Sequence, residues 1–139
     1  RFGKSYNYVR FQSLSSSEIG KFRNHFYDQN GRKIIPSDIR DLLKSPLSLA
    51  VWFMDDGYYY QRDKISYVYL PNCLEEEFIL LLNSLKNNFD LSPTLKKKSK
   101  GYCFIFSVSD SVKLSEIIKP FVISSMKYKL PFDPVSTQV

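Results

Sequence analysis

The chain has 139 residues, of which 43% are hydrophobic and 24% are charged, a balance typical of a globular protein with one modest core. No apolar run approaches the roughly 20 residues that a membrane-spanning helix needs, so we expect no membrane partner. The formal net charge of +6 favours a polyanionic partner such as nucleic acid. The start, Arg1-Phe2-Gly3-Lys4, has neither a methionine nor a signal-peptide pattern, and this is typical of a trimmed or cleaved product.

The first part of the chain predicts a strand, a helix, an extended segment and a short helical linker. Apolar and polar residues alternate in the predicted strand, and apolar residues then recur at helical spacing. An Asp-Gln-Asn-Gly run and a proline delimit the extended segment. The predicted elements are a strand at residues 5–12, a helix with Ser15 as its N-cap that ends before Asp28, an extended segment at 32–36 and a helical linker at 37–44.

The most informative stretch is a helix that starts at Ser45-Pro46, a typical N-cap and first helical position. It is apolar on every side until it ends in Asp55, Asp56 and Gly57. A helix without a polar face is expected to be buried. Ionised carboxylates avoid apolar surroundings unless a cation or hydrogen-bond donors meet them. We therefore expect the two acids to lie at the floor of a polar site.

The remaining residues predict two hairpins, each followed by a helix. Tyrosines flank a polar centre in the first hairpin, and a lysine run with Gly101 forms the turn of the second. We expect the last helix to start at Asp110 and to end or kink at Pro120. The predicted elements are the hairpin 58–70, the helix 75–89, the hairpin 93–108, the last helix and an extended segment at 126–131. With the preceding helix they form an α+β unit of order αββαββα.

A weak internal repeat supports this organisation. Phe11 matches Phe106 and Phe26 matches Phe121 at the same spacing, in a parallel order of elements. We interpret the chain as the tail of a first unit, a linker, a complete second unit and a terminal tail. The corresponding ranges are 1–36, 37–44, 45–131 and 132–139.

Two carboxylates at the end of a buried helix in a basic protein suggest a divalent metal site. Mg²⁺ and Ca²⁺ prefer oxygen ligands, and Mg²⁺ commonly takes one or two carboxylates with phosphate oxygens and water. Such a site serves phosphodiester hydrolysis, with nearby lysines stabilising developing negative charge. On these residues alone, a plain Asp-Asp-Gly helix stop and a solvated lysine-rich hairpin turn stay open as alternatives.

Residues 49–57, Leu-Ala-Val-Trp-Phe-Met-Asp-Asp-Gly, resemble the LAGLIDADG motif, with Leu49-Ala50 at its start and Asp56-Gly57 at its end. Flanking segments extend the resemblance to the two-motif, monomeric branch of the LAGLIDADG homing endonucleases. These segments are residues 33–36, 46–50, 118–120 and 126–131. The resemblance covers nearly the whole chain, from about Tyr6 to Pro131.

The resemblance implies a β-sheet saddle over DNA, with two motif helices packed at a pseudo-two-fold axis. It implies that Asp56, with Gly57 beside it, binds Mg²⁺, for which Ca²⁺ or Mn²⁺ are substitutes, and that Asp55 is a motif neighbour. Lys129 and Lys33 match the catalytic-pocket lysines of the second and the first unit. The implied helix–helix interface contains Ser48, Ala50 and Phe53. The implied DNA-contacting residues are Tyr6, Tyr8, Arg10, Tyr60, Arg62, Lys64, Lys96, Lys98 and Lys100.

The implied function is a site-specific double-stranded DNA endonuclease, or the larger part of one. The alternatives are an intron-encoded maturase that binds intron RNA to assist splicing, and a nucleic-acid-binding module without cleavage. One motif is present where the two-motif branch has two, so we expect a missing first repeat, in cis or on a separate chain. A homodimer is less favoured, because residues 1–36 already resemble the tail of a first unit. Frequent Lys, Asn, Ile, Phe and Tyr suit an A·T-rich organellar genome, mitochondrial or chloroplast.

Overall fold

The computed structural model describes residues 3, 5 and 7–130, and these residues form α-helices, 3₁₀-helices and one sheet. The α-helices are α1 (Ser17–Phe26), α2 (Ile39–Leu42), α3 (Pro46–Asp56), α4 (Glu75–Phe89) and α5 (Val108–Ile118). The strands are β1 (Gly57–Tyr60), β2 (Ile65–Leu70), β3 (Thr94–Lys98) and β4 (Gly101–Phe106). Two 3₁₀-helices follow α5, at Lys119–Phe121 and Ser124–Lys129. From α3 to α5 the order is αββαββα, which confirms the predicted α+β unit.

Helix α3 begins and ends where its sequence predicts. The Ser45 hydroxyl accepts a hydrogen bond from the Ser48 N–H at 3.0 Å, and Pro46 occupies the first turn. At the other end the Gly57 N–H donates to the Phe53 carbonyl. Gly57 has an ordinary φ of −86°, but a Cβ at this position would overlap the carbonyl oxygen and the ring of Phe53. The glycine is therefore required by a close approach, and it lets the acidic helix end continue into β1 without a loop.

The four strands form one antiparallel sheet in the order β1-β2-β4-β3. Its core face carries Val68 opposite Phe104, and both are buried. Helices α3 and α5 lie against the sheet on this side. Because successive side chains of a strand alternate between faces, Tyr67 and Tyr69 project from the opposite face. The sheet therefore has one face in the core and one face for contacts outside it.

The core lies between the core face of the sheet and the helices. A polar link crosses it: the Ser111 hydroxyl accepts from the Ser66 N–H at 2.9 Å and donates to the Phe106 carbonyl at 3.2 Å. This link fixes α5 against β2 and β4. The largest fully buried side chains include Leu49, Phe53, Leu85, Phe104, Phe106, Leu114 and Ile118. No helix within residues 7–130 is both long enough and apolar enough to cross a bilayer.

The predicted strand at residues 5–12 is wrong for the residues of this range that the structure describes. Residues 5 and 7–12 have no strand structure, and all four strands of the sheet pair among themselves. A strand needs a neighbour for its backbone N–H and C=O groups, and this segment pairs with neither edge strand of the described sheet. Alternation of residues alone could not reveal that the pairing partner is missing.

Two further element predictions differ in detail. Helix α5 begins at Val108 instead of Asp110, because the Ser107 hydroxyl caps it by accepting from the Asp110 N–H at 3.2 Å. Residues 126–129, predicted as extended, belong to the second 3₁₀-helix, where the Leu130 N–H donates to the Lys127 carbonyl at 3.0 Å. The predicted tail at 132–139 lies outside the described residues.

Candidate active site and nucleic-acid interface

The acidic end of α3 faces a cavity of about 320 Å³. Asp55, Asp56 and Lys33 are the charged residues that line it. Asp55 is exposed, whereas Asp56 is half-buried. The apolar wall of the cavity includes Ile34, Ile35, Ile39, Leu42, Leu43 and Trp52. The acids that the sequence placed at a polar site therefore lie at the edge of an apolar-walled cavity.

Two lysines reach this helix end from segments far apart in the sequence. Lys129, the last residue of the second 3₁₀-helix, donates from Nζ to the Met54 carbonyl at 2.7 Å. That carbonyl belongs to the last turn of α3, where carbonyls lack helical partners and a cation is favourable. Lys33 pairs with Tyr27 across the turn that follows α1 and lines the cavity. The structure thus brings both predicted lysines to Asp56.

The pKa of Asp56 lies above its ordinary value. Burial against the apolar wall is the largest cause, and repulsion from the neighbouring Asp55 carboxylate adds to it. Attraction from Lys33 and Lys129 acts in the opposite direction without offsetting these two effects. Any further positive charge here would lower the pKa of Asp56 and stabilise its ionised form.

The donor set at this helix end fits Mg²⁺. Among residues 7–130 and the two described residues before them, no group of three or more His, Cys, Asp or Glu side chains is placed to hold a metal ion. Mg²⁺ does not need such a cage, because it keeps several waters and takes one or two carboxylates with substrate phosphates. Asp56 supplies one such carboxylate, and Asp55 is adjacent to it in the chain.

The sheet face opposite the core, here called the open face, carries aromatic and lysine side chains. The register places Tyr58 opposite Tyr67 and Tyr69 opposite Cys103. Cross-strand neighbours share a face, so the register defines the whole set. It consists of Tyr58, Tyr60, Ile65, Tyr67, Tyr69, Thr94, Lys96, Lys98, Cys103 and Ile105. The lysines lie on the edge strand β3, and the tyrosines lie on β1 and β2.

Cations lie over the aromatic rings of the open face. The Arg62 guanidinium is 5.0 Å from the centre of the Tyr60 ring, and the Lys98 Nζ is 5.2 Å from the centre of the Tyr67 ring. Tyr58 stacks on Tyr67 with ring centres 6.4 Å apart. These contacts hold the positive charges against the sheet.

The nine residues that the sequence assigned to DNA contact fall into four groups. Tyr60, Lys96 and Lys98 lie on the open face, and Arg62, Lys64 and Lys100 lie in the exposed turns of the two hairpins. Tyr8 and Arg10 lie in exposed coil outside the sheet, and Tyr6 lies outside the described residues. Sequence reasoning missed Tyr58, Tyr67 and Tyr69, although the period-two spacing within each tyrosine run could have identified them.

The three residues predicted for a helix–helix interface have different surroundings in the structure. Ala50 and Phe53 are 0% and 1% exposed, so the chain's own core already covers them. The exposed side of α3 carries Leu47 and Val51, at 53% and 54% exposure, with Ser48 half-buried beside them. Leu47 and Val51 are one helical turn apart and form an apolar stripe.

The αββαββα order and the acidic end of its first helix define the LAGLIDADG class of folds. The chain belongs to the LAGLIDADG DNA endonuclease family, whose family model matches residues 1–114. This match confirms the resemblance drawn from the motif at the end of α3.

The proteins similar to this chain include both maturases and endonucleases. The chain is 32% identical over 130 residues to the cytochrome b mRNA maturase bI2 of Debaryomyces hansenii, covering 92% of this chain and 48% of that protein. It is 30% identical over 130 residues to the probable intron-encoded endonuclease 1 of Wickerhamomyces canadensis, covering 89% and 55%. Its structure is similar to that of the homing endonuclease I-WcaI bound to its DNA recognition sequence, with a TM-score of 0.69, 28% identity, and coverage of 83% and 51%. The chain therefore spans about half the length of each of these relatives.

Proposed function

We propose that the chain is part of a site-specific double-stranded DNA endonuclease that hydrolyses phosphodiester bonds with Mg²⁺. The observation that carries the proposal is the convergence of Lys33 and Lys129 on Asp56, at a helix end that continues directly into the sheet. The open face of that sheet supplies cations and aromatic rings for the nucleic acid. Family membership and the similarity to a DNA-bound homing endonuclease support the same function.

In this proposal each charged group at the helix end has its own role. Asp56 holds the metal with the adjacent Gly57 backbone, and Asp55 remains a neighbour that raises the proton affinity of Asp56. Bound Mg²⁺ would activate a water molecule and stabilise the leaving oxygen; Ca²⁺ and Mn²⁺ are candidate substitutes. Lys33 and Lys129 attract the scissile phosphate and stabilise the negative charge that develops on it.

The DNA duplex is proposed to lie along the open face. Lysine and arginine contacts to phosphates fix the position of a protein on a duplex, and contacts to base edges provide sequence specificity. The edge strand and the two hairpin turns supply the cations, and the middle strands face the bases. We retain all nine residues for this role: Tyr6, Tyr8, Arg10, Tyr60, Arg62, Lys64, Lys96, Lys98 and Lys100.

A second repeat of the same fold is proposed to complete the site. The apolar stripe of Leu47 and Val51 lies on the free side of the helix that carries Asp56. A matching helix packed there would bring a second acid close to Asp56. The maturase and the endonuclease named above are each about twice as long as this chain, which supports a first repeat in cis or on a separate chain over a homodimer.

A plasmid assay tests the proposed function. A supercoiled plasmid that carries the intron insertion site is incubated with this chain alone, with a first repeat alone and with both, in the presence or absence of Mg²⁺. We expect linear product only with both proteins and Mg²⁺, and duplex binding without efficient linearisation for this chain alone. Efficient linearisation by the chain alone would contradict the proposal that it holds half of the site.

The similarity to a cytochrome b mRNA maturase favours a second candidate function, assistance of intron splicing through intron RNA. The same preparations separate the two functions. Tight binding of the intron transcript without linearisation of the plasmid would favour the maturase. The intron-encoded relatives also support a mitochondrial or chloroplast location, which mapping the coding sequence to an organellar genome would test.

A further inference from the structure

The four strands lack most of the side chains that read bases by hydrogen bonds. Their sequences are GYYY, ISYVYL, TLKKK and GYCFIF, and none contains Asn, Gln, Asp, Glu, Arg or His. Asn and Gln pair with adenine in the major groove, Glu and Asp accept from cytosine, and Arg or Lys pairs with guanine. Of these side chains the open face carries only Lys96 and Lys98, and both lie on the edge strand β3.

The middle of the open face is apolar instead. The central strands β2 and β4 place Tyr67 opposite Ile105 and Tyr69 opposite Cys103. The lysines of the open face, Lys96 and Lys98, lie on the edge strand β3. A duplex held at this edge by its phosphates would turn its base edges towards an apolar surface. In the major groove, the apolar group that a base pair offers is the 5-methyl group of thymine.

The contacts of the tyrosines favour base edges over stacked single-stranded bases. Lys98 lies over the Tyr67 ring, Arg62 lies over the Tyr60 ring, and Tyr58 stacks on Tyr67. Stacking an unpaired base on Tyr67 or Tyr60 would have to displace a cation or a neighbouring ring. Contact with a methyl group at a ring edge leaves all of these interactions in place.

We propose that the open face recognises thymine methyl groups in the major groove of duplex DNA, with Tyr67, Tyr69 and Ile105 as the contacting residues. This inference rests on the proposed function and makes it more specific: the half-site read by this chain is rich in A·T pairs. Removing one methyl contact is expected to weaken binding by about three- to fourfold, from the free energy of burying one methylene-sized group.

Selection followed by base replacement tests the inference. The full 139-residue chain is used to select duplexes from a random pool. The selected duplexes are then resynthesised with deoxyuridine in place of thymidine within the half-site that the bound chain covers. Uracil pairs as thymine does and lacks only the methyl group. We expect enrichment of thymine in the selected sequences, and a loss of affinity that grows with each methyl group removed.

Protein variants then link the methyl groups to the tyrosines. Tyr67→Phe removes only a hydroxyl and should keep the preference for thymine over uracil. Tyr67→Ala should lose the part of the preference for thymine over uracil that its own methyl contact supplies, about three- to fourfold, and keep the rest. Tyr69→Ala, at a residue 56% exposed, gives the same test where truncation leaves the core untouched. Tyr128→Ala, at a residue 64% exposed outside the sheet, is the control that should change neither affinity.

The outcomes separate the inference from the proposed function. Equal affinity for the thymine and uracil duplexes, with DNA still bound, would overturn the inference and leave the proposed function intact. Loss of the preference in Tyr67→Phe would replace methyl recognition by hydroxyl hydrogen bonding and would also overturn it. If no duplex is selected while single-stranded RNA binds, the proposed function and the inference both fail.

Discussion

Arg32 and Glu77, 45 residues apart in the chain, are joined by two parallel N–H···O hydrogen bonds of 3.1 and 3.2 Å. The Arg32 Nε also donates to Asp28 at 3.2 Å, and Glu77 accepts from the Leu74 N–H at 2.7 Å. The pair connects the turn after α1 to the first turn of α4. Arg32 directly precedes Lys33, so this connection fixes the turn that brings Lys33 to the acidic end of α3.

Glu77→Gln should destabilise the fold by about 1–3 kcal/mol, because it weakens a charge-assisted pair at a carboxylate that is only 10% exposed. Burial alone would raise the pKa of Glu77, but the hydrogen bonds from Arg32 and from the Leu74 N–H outweigh it, so the pKa lies below its ordinary value of 4.5. A lowered pKa stabilises the fold above the unfolded value, and this stabilisation is lost as pH falls through the folded value.

Urea unfolding of both proteins between pH 3 and 7 measures this difference. We expect the difference in free energy of unfolding between the unaltered chain and Glu77→Gln to be largest at neutral pH and to decrease below about pH 4.5. Glu116→Gln, at an exposed carboxylate paired with Lys119, is the matched control and should change stability by less than about 0.5 kcal/mol. Equal effects of the two substitutions would show that the Arg32 pair does not connect the two segments.

Gly57→Ala should destabilise the chain by about 1–3 kcal/mol or more, because the added Cβ overlaps the Phe53 carbonyl and ring. The control substitution should change the free energy of unfolding in the opposite direction. Gly20 lies inside α1 with open space where a Cβ would project, so Gly20→Ala should stabilise the helix by roughly 0.5–1 kcal/mol. Thermal unfolding of the two variants checks both directions, and a stable Gly57→Ala protein would contradict the packing described for the helix end.

Val51→Asp should prevent association with a first repeat while leaving this chain folded. Val51 is 54% exposed on α3, and a carboxylate there would have to be buried without a partner when a second helix docks. We expect an association at least about tenfold weaker in sedimentation experiments. Ile79→Asp, at a residue 50% exposed on α4, introduces the same charge elsewhere and should not change association. An equal effect of both variants would place the partner on another surface.

Lys96→Ala should weaken duplex binding and reduce the slope of log affinity against log salt concentration by about 0.9, because one phosphate contact is lost. Lys97 is its matched control: it is the next residue on β3, it is exposed, and it projects from the other face of the sheet. Lys97→Ala should leave the slope nearly unchanged. If the two variants have the same salt dependence, the open face is not the DNA-binding face.

Most of the fold could be predicted from the sequence because most helices and strands are determined by residues within or next to them. Ser45-Pro46 and Gly57 predict the two ends of α3, and the period-two tyrosine runs predict the first hairpin. The lysine run with Gly101 predicts the second hairpin. The prediction of a strand at residues 5–12 failed because a strand depends on its neighbour, and the described residues of this range pair with none of the four strands.

At the site, the motif indicated Asp56 and the flanking segments of the resemblance indicated the two lysines, but the contacts that position these residues are not local. The Arg32–Glu77 pair has no signature in the sequence because its members are 45 residues apart. Ala50 was assigned to a helix–helix interface because it is small, yet it fills the chain's own core. An all-apolar helix does not reveal from its sequence which of its sides the core will cover.

The proposed role of Asp56 as the metal-binding acid of a DNA endonuclease is tested most directly by its substitution with Asn in the complete two-repeat protein. In this chain the raised pKa of Asp56 means that the folded state holds the proton more tightly. Stability therefore falls as pH rises above the ordinary value of 3.8, and Asp56→Asn in this chain should unfold at a higher temperature at pH 7. We predict that Asp56→Asn binds the duplex normally and no longer cleaves it with Mg²⁺, whereas Asp55→Asn keeps measurable cleavage. Cleavage by Asp56→Asn at the rate of the unaltered protein would contradict this role.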